Sequence, residues 1–268
     1  MMQPLSISRA WDETREVLRR DGSLIATLAL ALMVLPGTIS AMVQPRAPAG
    51  QMAEPGWWTL VQLLALLIGV VGQLAVVQIA LGRRQSVGEA IAHGARRTPA
   101  FLGATVLWVL PLALLVVPFA QRIEANPNAP DPTSALIMVV VLLIFLFLAV
   151  RLILTTPVAG SEAAGPITIL RRSWGLTRGR WWRLFGFLVL FFVAALIVIT
   201  AVTSVVGVVV GLADGPPEPW STGALVLALT SQLLSAALTV LLVLLITRLY
   251  AQLTGPAAPE SASVPDAP

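Results

Sequence analysis

The chain contains no cysteine, no lysine and a single histidine, and only 11% of its residues are charged. Without cysteine there is no disulfide, no thiolate nucleophile and no thiolate ligand for a metal. One imidazole, His93, leaves Ser-His-Asp catalysis a single candidate base, and no serine stands in a nucleophile-elbow sequence. The same scarcity argues against a metal centre, which gathers several N, O or S ligands, and no cofactor motif is present. A lone histidine in an amphipathic segment reads as a surface residue, and the chain reads as a non-enzyme. The shortage of charge has the widest consequence. With 57% apolar residues and a mean hydropathy of +0.88, polar surface is too scarce to cover a water-exposed globule.

A bilayer supplies the missing solvent. Its hydrocarbon is about 30 Å thick and takes roughly 20 apolar residues per helix. Six stretches meet that length: Leu24–Val43, Trp57–Leu81, Phe101–Ala120, Ala135–Leu154, Leu184–Leu212 and Ala224–Ile246. They are continuously apolar, whereas the strands of a membrane barrel would alternate. The expected fold is therefore all-α, a polytopic bundle of six transmembrane helices occupying residues 1–254. The remaining 255–268, rich in Pro, Ala and Ser, cannot bury a core and should be disordered.

All seventeen positive side chains are arginine, which suggests a GC-rich bacterial genome. Fifteen of them fall in the segments that alternating spans leave on one side. Arginine in short loops is retained on the cytoplasmic side, so the inner segments, net +7 against −3 outside, place both termini in the cytoplasm of a bacterial inner membrane. The first apolar run follows Asp12, Glu13, Glu16 and Asp21 and is too long for a cleaved leader, so it reads as a retained signal anchor. A pI near 11.1 arises from these membrane-proximal arginines. It carries none of the aromatic interleaving of a nucleic-acid module, and the partner it suggests is anionic phospholipid.

A short amphipathic segment precedes each odd-numbered span. Ile7, Ala10, Trp11, Val17 and Leu18 form the first stripe, with Ser6 or Ser8 as N-cap; Val87, Ala90, Ile91 and Ala95 form the second; Ile167, Leu170 and Trp174 form the third, opened by Pro166. The chain thus reads as a pseudo-threefold repeat of an interfacial helix followed by a transmembrane hairpin. Pro36 and Pro111 should kink spans one and three. The fifth span, about 29 residues, overshoots the hydrocarbon by roughly 14 Å and must tilt, break near its glycines or project.

The most specific stretch runs from Pro157 through Glu162, Gly165-Pro166, Arg171-Arg172-Ser173-Trp174, Thr177 and Gly179 to Trp181-Trp182-Arg183. It resembles the membrane-domain family associated with glycerophosphoryl diester phosphodiesterases, in which an E…GP…RSW.LT.G element joins the fourth and fifth of six membrane helices. The resemblance covers about the whole chain apart from its tail. It implies the six-span fold but not the phosphodiesterase, whose catalytic barrel six spans leave no room for. In physical terms, Arg171, Arg172, Arg178, Arg180 and Arg183 present guanidinium forks suited to phosphate, and Trp174, Trp181 and Trp182 suit the interface. Two readings stand: a specific phospholipid site, or general anchoring with positive-inside topology. Glu162 either pairs with one of these arginines or caps the next turn.

Polar residues recur inside the spans. Gln62, Gly69 and Gln73 share a face of span two; Thr203 and Gly207, with Thr200, Ser204 and Gly211, line span five; Gln232 and Ser235, with Thr239, line span six. These stripes form either a packing seam or a polar cavity among spans two, five and six. No acidic residue lies within the spans, which counts against ion-coupled transport, and Arg151 is close enough to a span end to snorkel outward. The leading expectation is a non-catalytic, lipid-associated accessory module. The alternatives are a small permease using the polar stripes and a subunit held to other membrane proteins.

Overall fold

A computed structural model describes residues 6–45, 54–82, 86–125, 132–215 and 220–255. The tail beyond Gly255 and residues 1–5, 46–53, 83–85, 126–131 and 216–219 lie outside the described residues. Among the described residues the chain is helical with no strand, and six helical runs are long and apolar enough to cross a membrane.

The first run comprises α1 (Ile7–Ala29), a π-helical turn (Leu30–Val34) and α2 (Leu35–Val43). Ser6 caps it, its hydroxyl accepting from the Arg9 N–H. Pro36 has no N–H for the Leu32 carbonyl. The helix answers by widening: the Leu35 N–H reaches back to Leu30 O, and the run continues unbroken. The other elements are α3 (Trp57–Ala80), α4 (Val87–Ala125), α5 (Pro132–Arg151), α6 (Thr155–Ser161), α7 (Pro166–Thr177), α8 (Trp181–Asp214) and α9 (Thr222–Thr254). A reciprocal capping box starts α4: Ser86 N–H donates to Glu89 Oε2 at 2.7 Å, and the Glu89 N–H to Ser86 Oγ at 3.3 Å. The helix α4 holds Pro99, Pro111 and Pro118 without a break. Likewise α8 is a single helix of 34 residues, about 51 Å long at about 1.5 Å per residue. It does not break at Gly207 or Gly211. Its far end stands out of the bundle, with Leu212 84% exposed.

All three amphipathic segments are helical. The first two are continuous with the spans they precede, and the third, α7, stands alone. In each, the face that packs on protein carries residues three or four apart, most of them small or hydroxylated: Ala10, Thr14 and Val17; Ala90, Gly94 and Thr98; Ile169, Ser173 and Thr177. The bulky members of the expected stripes, Ile7, Trp11, Leu18, Ile167 and Trp174, stay exposed. The first and third segments are therefore docked on one side and apolar on another, whereas Val87 and Ile91 of the second pack against the core. Small side chains let backbones approach, and Gly94 shows how closely: a Cβ there would lie 2.6 Å from Val71 O.

The Ser6 N–H donates to Gln252 Oε1 at 3.2 Å, so α1 begins where α9 ends. The core lies toward this terminal end of the bundle. Val17, Ile25 and Leu28 of α1 pack with Ala75–Ala80 of α3 and with Val240, Val243 and Leu244 of α9. A second cluster joins Ala10, Leu184, Phe187, Leu245 and Leu249, and a third joins Leu74, Ala104, Leu154, Val158, Ile169 and Tyr250. Toward the opposite, turn end, α4, α5 and α8 present leucines, valines and phenylalanines outward, a surface that only hydrocarbon can cover.

Candidate functional site

Three polar regions are built on this frame. The first is the junction of α5, α6 and α7. Pro157 cannot donate to the carbonyl four residues before it, and the chain turns through Leu152–Leu154 between α5 and α6. The Arg151 carbonyl at the end of α5 is then capped from outside, by Ser173 Oγ at 3.1 Å and Thr177 Oγ1 at 3.0 Å. Two residues of the conspicuous motif thus satisfy a carbonyl at a helix break. Glu162 accepts from Tyr250 Oη at 2.6 Å and pairs with Arg172 Nε at 3.2 Å, tying α7 and α9 to the end of α6. Gly103 of α4 faces Pro166, where a Cβ would come within 3.0 Å of the proline ring.

His93 belongs to this junction and is not a surface residue. Its Nε2 lies 3.0 Å from Gly160 O, and the fully buried Gln78 donates to the same carbonyl through Nε2. The close approach of α6 to α3 brings the carbonyl within reach, since a Cβ on Gly160 would lie 2.8 Å from Val77 Cγ1. The Oε1 of Gln78 is buried with no partner among the described residues. Arg151 packs against aromatic rings at the end of α5. Its guanidinium lies over the Phe147 and Trp174 rings at 5.4 and 5.1 Å, with Nε and Nη1 buried.

The second region is the elbow between α7 and α8. Gly179, at φ +78°, takes the left-handed conformation that a side chain resists, which turns α7 into α8. Arg171, Arg178 and Arg183 are exposed and Arg180 half-exposed, and none of the four has a carboxylate partner among the described residues. Trp181 stacks on Phe185 with centroids 4.9 Å apart, meets Trp182 edge-on at 4.6 Å and donates through Nε1 to Phe147 O at 3.3 Å. Trp182 is 76% exposed. The elbow is thus a corner of free guanidinium groups beside indoles, held on a packed aromatic base.

The third region is a cleft of about 390 Å³, lined by Gly37, Ser40, Gln44, Gln62, Gln73, Gln232, Ser235 and Thr239 among others. Gln62, Gly69, Gln73, Gln232 and Ser235 meet there as the spacing predicts. Thr203 and Gly207 do not. The Thr203 hydroxyl bonds to Ile199 O of its own helix at 2.7 Å, and a Cβ on Gly207 would meet nothing within 4 Å. The third wall comes instead from span one, whose Gly37, Ser40, Ala41 and Gln44 recur at helical spacing. Gly37 leaves the space that the Gln232 side chain fills.

These features define a multi-pass, all-helical membrane protein with a basic aromatic corner at one end and a neutral polar cleft toward the other. Over residues 5–253 the chain belongs to the family described as Domain of unknown function (DUF7847). No curated protein and no solved structure matches it.

Proposed function

We propose that this chain is a non-catalytic module of a bacterial inner membrane whose cytoplasmic corner at α7–α8 holds anionic phospholipid headgroups. The observation that carries this reading is the set of four arginines, Arg171, Arg178, Arg180 and Arg183, without carboxylate partners among the described residues and beside the exposed Trp182. Guanidinium forks match phosphate oxygens and indoles favour the headgroup level. The arginine excess at this end supports a cytoplasmic orientation, where anionic lipid is attracted. A non-catalytic role is supported by His93, whose Nε2 lies against Gly160 O. In native mass spectrometry, phosphatidylglycerol should be retained over phosphatidylcholine. Replacing Arg171, Arg178, Arg180 and Arg183 with Gln should remove that preference; its absence from the unaltered protein would refute the reading.

A second reading, a small permease, is favoured by the cleft. Solute flux into proteoliposomes should then fall with Gln73→Leu and Gln232→Leu, and flux unaltered by both would count against it.

A further inference from the structure

We infer that the cleft between spans one, two and six is a binding site for an uncharged polyhydroxyl group, either the head of a neutral lipid or a free polyol. Four primary amides and three hydroxyls line it: Gln44, Gln62, Gln73, Gln232, Ser40, Ser235 and Thr239. None of the seven makes a side-chain hydrogen bond among the described residues. Elsewhere in the helices Thr14, Thr38, Thr98, Thr105 and Thr247 turn their hydroxyls onto the carbonyl four residues back, at 2.6 to 3.0 Å. Those groups are satisfied within one helix. The cleft groups are aimed at a common space, and away from water an amide needs a partner there.

The chemistry of the lining selects the class of ligand. Among the described residues no charged side chain lines the cleft, so neither a cation nor an anion would meet a counter-charge from them. Amides and hydroxyls both donate and accept, which suits a group that does the same. The volume falls within the range of small-ligand pockets, roughly 300 to 1,000 Å³. Gln62 and Gln73 are about 16 Å apart along α3 at about 1.5 Å per residue, so the site reaches well into the bundle. Beyond it, toward the terminal end, Ile25, Leu28, Ala75, Val76, Val240 and Val243 close the path. The cleft is a blind pocket in this conformation.

The test uses the full chain in phosphatidylcholine nanodiscs, with monooleoylglycerol, free glycerol and methyl glucoside as neutral probes and phosphatidylglycerol as the charged one. Binding is read by native mass spectrometry and by the shift in thermal unfolding. At least one neutral probe should bind, and Gln73→Leu with Gln232→Leu should weaken it about tenfold or more, as expected for two lost hydrogen bonds. Gly37→Ala, which displaces the Gln232 amide, should also weaken it, whereas Thr203→Val on α8 and the four-arginine Gln variant should leave it unchanged. Binding of monooleoylglycerol alone identifies a lipid head, and binding of glycerol or the glucoside identifies a free solute. The inference is overturned if no neutral probe binds the unaltered protein, if phosphatidylglycerol competes better than the neutral probes, or if correctly folded cleft variants bind as before.

Discussion

Two glutamines five residues apart on α3 do opposite things. Gln78 is fully buried and donates to Gly160 O, joining α3 to α6 beside a second donor, His93. Gln73 is half-buried, bonds to nothing among the described residues, and faces the cleft. The terminal half of the bundle makes its side-chain hydrogen bonds across helix breaks and between helices, although Gln78 Oε1, Arg248 Nε and Gln252 Nε2 are buried there without a partner among the described residues. The turn half holds its amides apart. In a bilayer each unsatisfied polar group is costly, so the first arrangement stabilises the fold and the second leaves polar groups free for something that enters.

This contrast can be broken most forcefully through glycine. Gly94→Ala would drive a Cβ against the Val71 backbone, which cannot move aside, and should cost about 3 kcal/mol, the upper end of overpacking penalties. Gly69→Ala at the cleft has its nearest neighbour 4.0 Å away and should be neutral, helped by the better helix propensity of alanine. Thermal unfolding in mild detergent compares the two; equal losses would erase the distinction between a tight half and an open one. A smaller effect is expected at the junction. Tyr250→Phe removes the hydroxyl that Glu162 accepts from at 2.6 Å and should cost about 2 kcal/mol, as for hydrogen bonds to charged groups. Replacing Arg172 with Gln should cost less, about 0.5 kcal/mol, because that pair is half in solvent. The smallest pair sharpens the comparison directly. Gln78→Leu should lose about 1 kcal/mol with its helix-to-helix bond, and Gln73→Leu should change stability by less than about 0.5 kcal/mol.

The six spans were legible because run length against hydrocarbon thickness is a strong constraint with few solutions. The seam was half legible, for a physical reason. A primary amide cannot be satisfied by its own helix, so Gln62, Gln73 and Gln232 announced a shared polar space. A threonine can be, and Thr203 bonds to Ile199 O, so the hydroxyl stripe on α8 signalled nothing about its neighbours. Span one carries the same kind of signal in the spacing of Gly37, Ser40 and Gln44, beginning one residue beyond Pro36. The motif at Pro157–Arg183 was visible as a pattern, yet Ser173 and Thr177 gained meaning only once the helix break at Arg151 brought a carbonyl beneath them. His93 was misread because sequence cannot reveal that α6 returns to meet it. Nor does sequence reveal that α7 folds Trp174 over Arg151.

The chain has no cysteine, so single cysteines can be placed without background and probed with a membrane-impermeant maleimide applied from the side onto which the cleft opens. The account predicts labelling at Gln62→Cys, Gln73→Cys and Ser235→Cys, in the cleft, and none at Thr203→Cys or Gly207→Cys on the lipid-covered face of α8. A protected Gln73→Cys beside a reactive Thr203→Cys would contradict it.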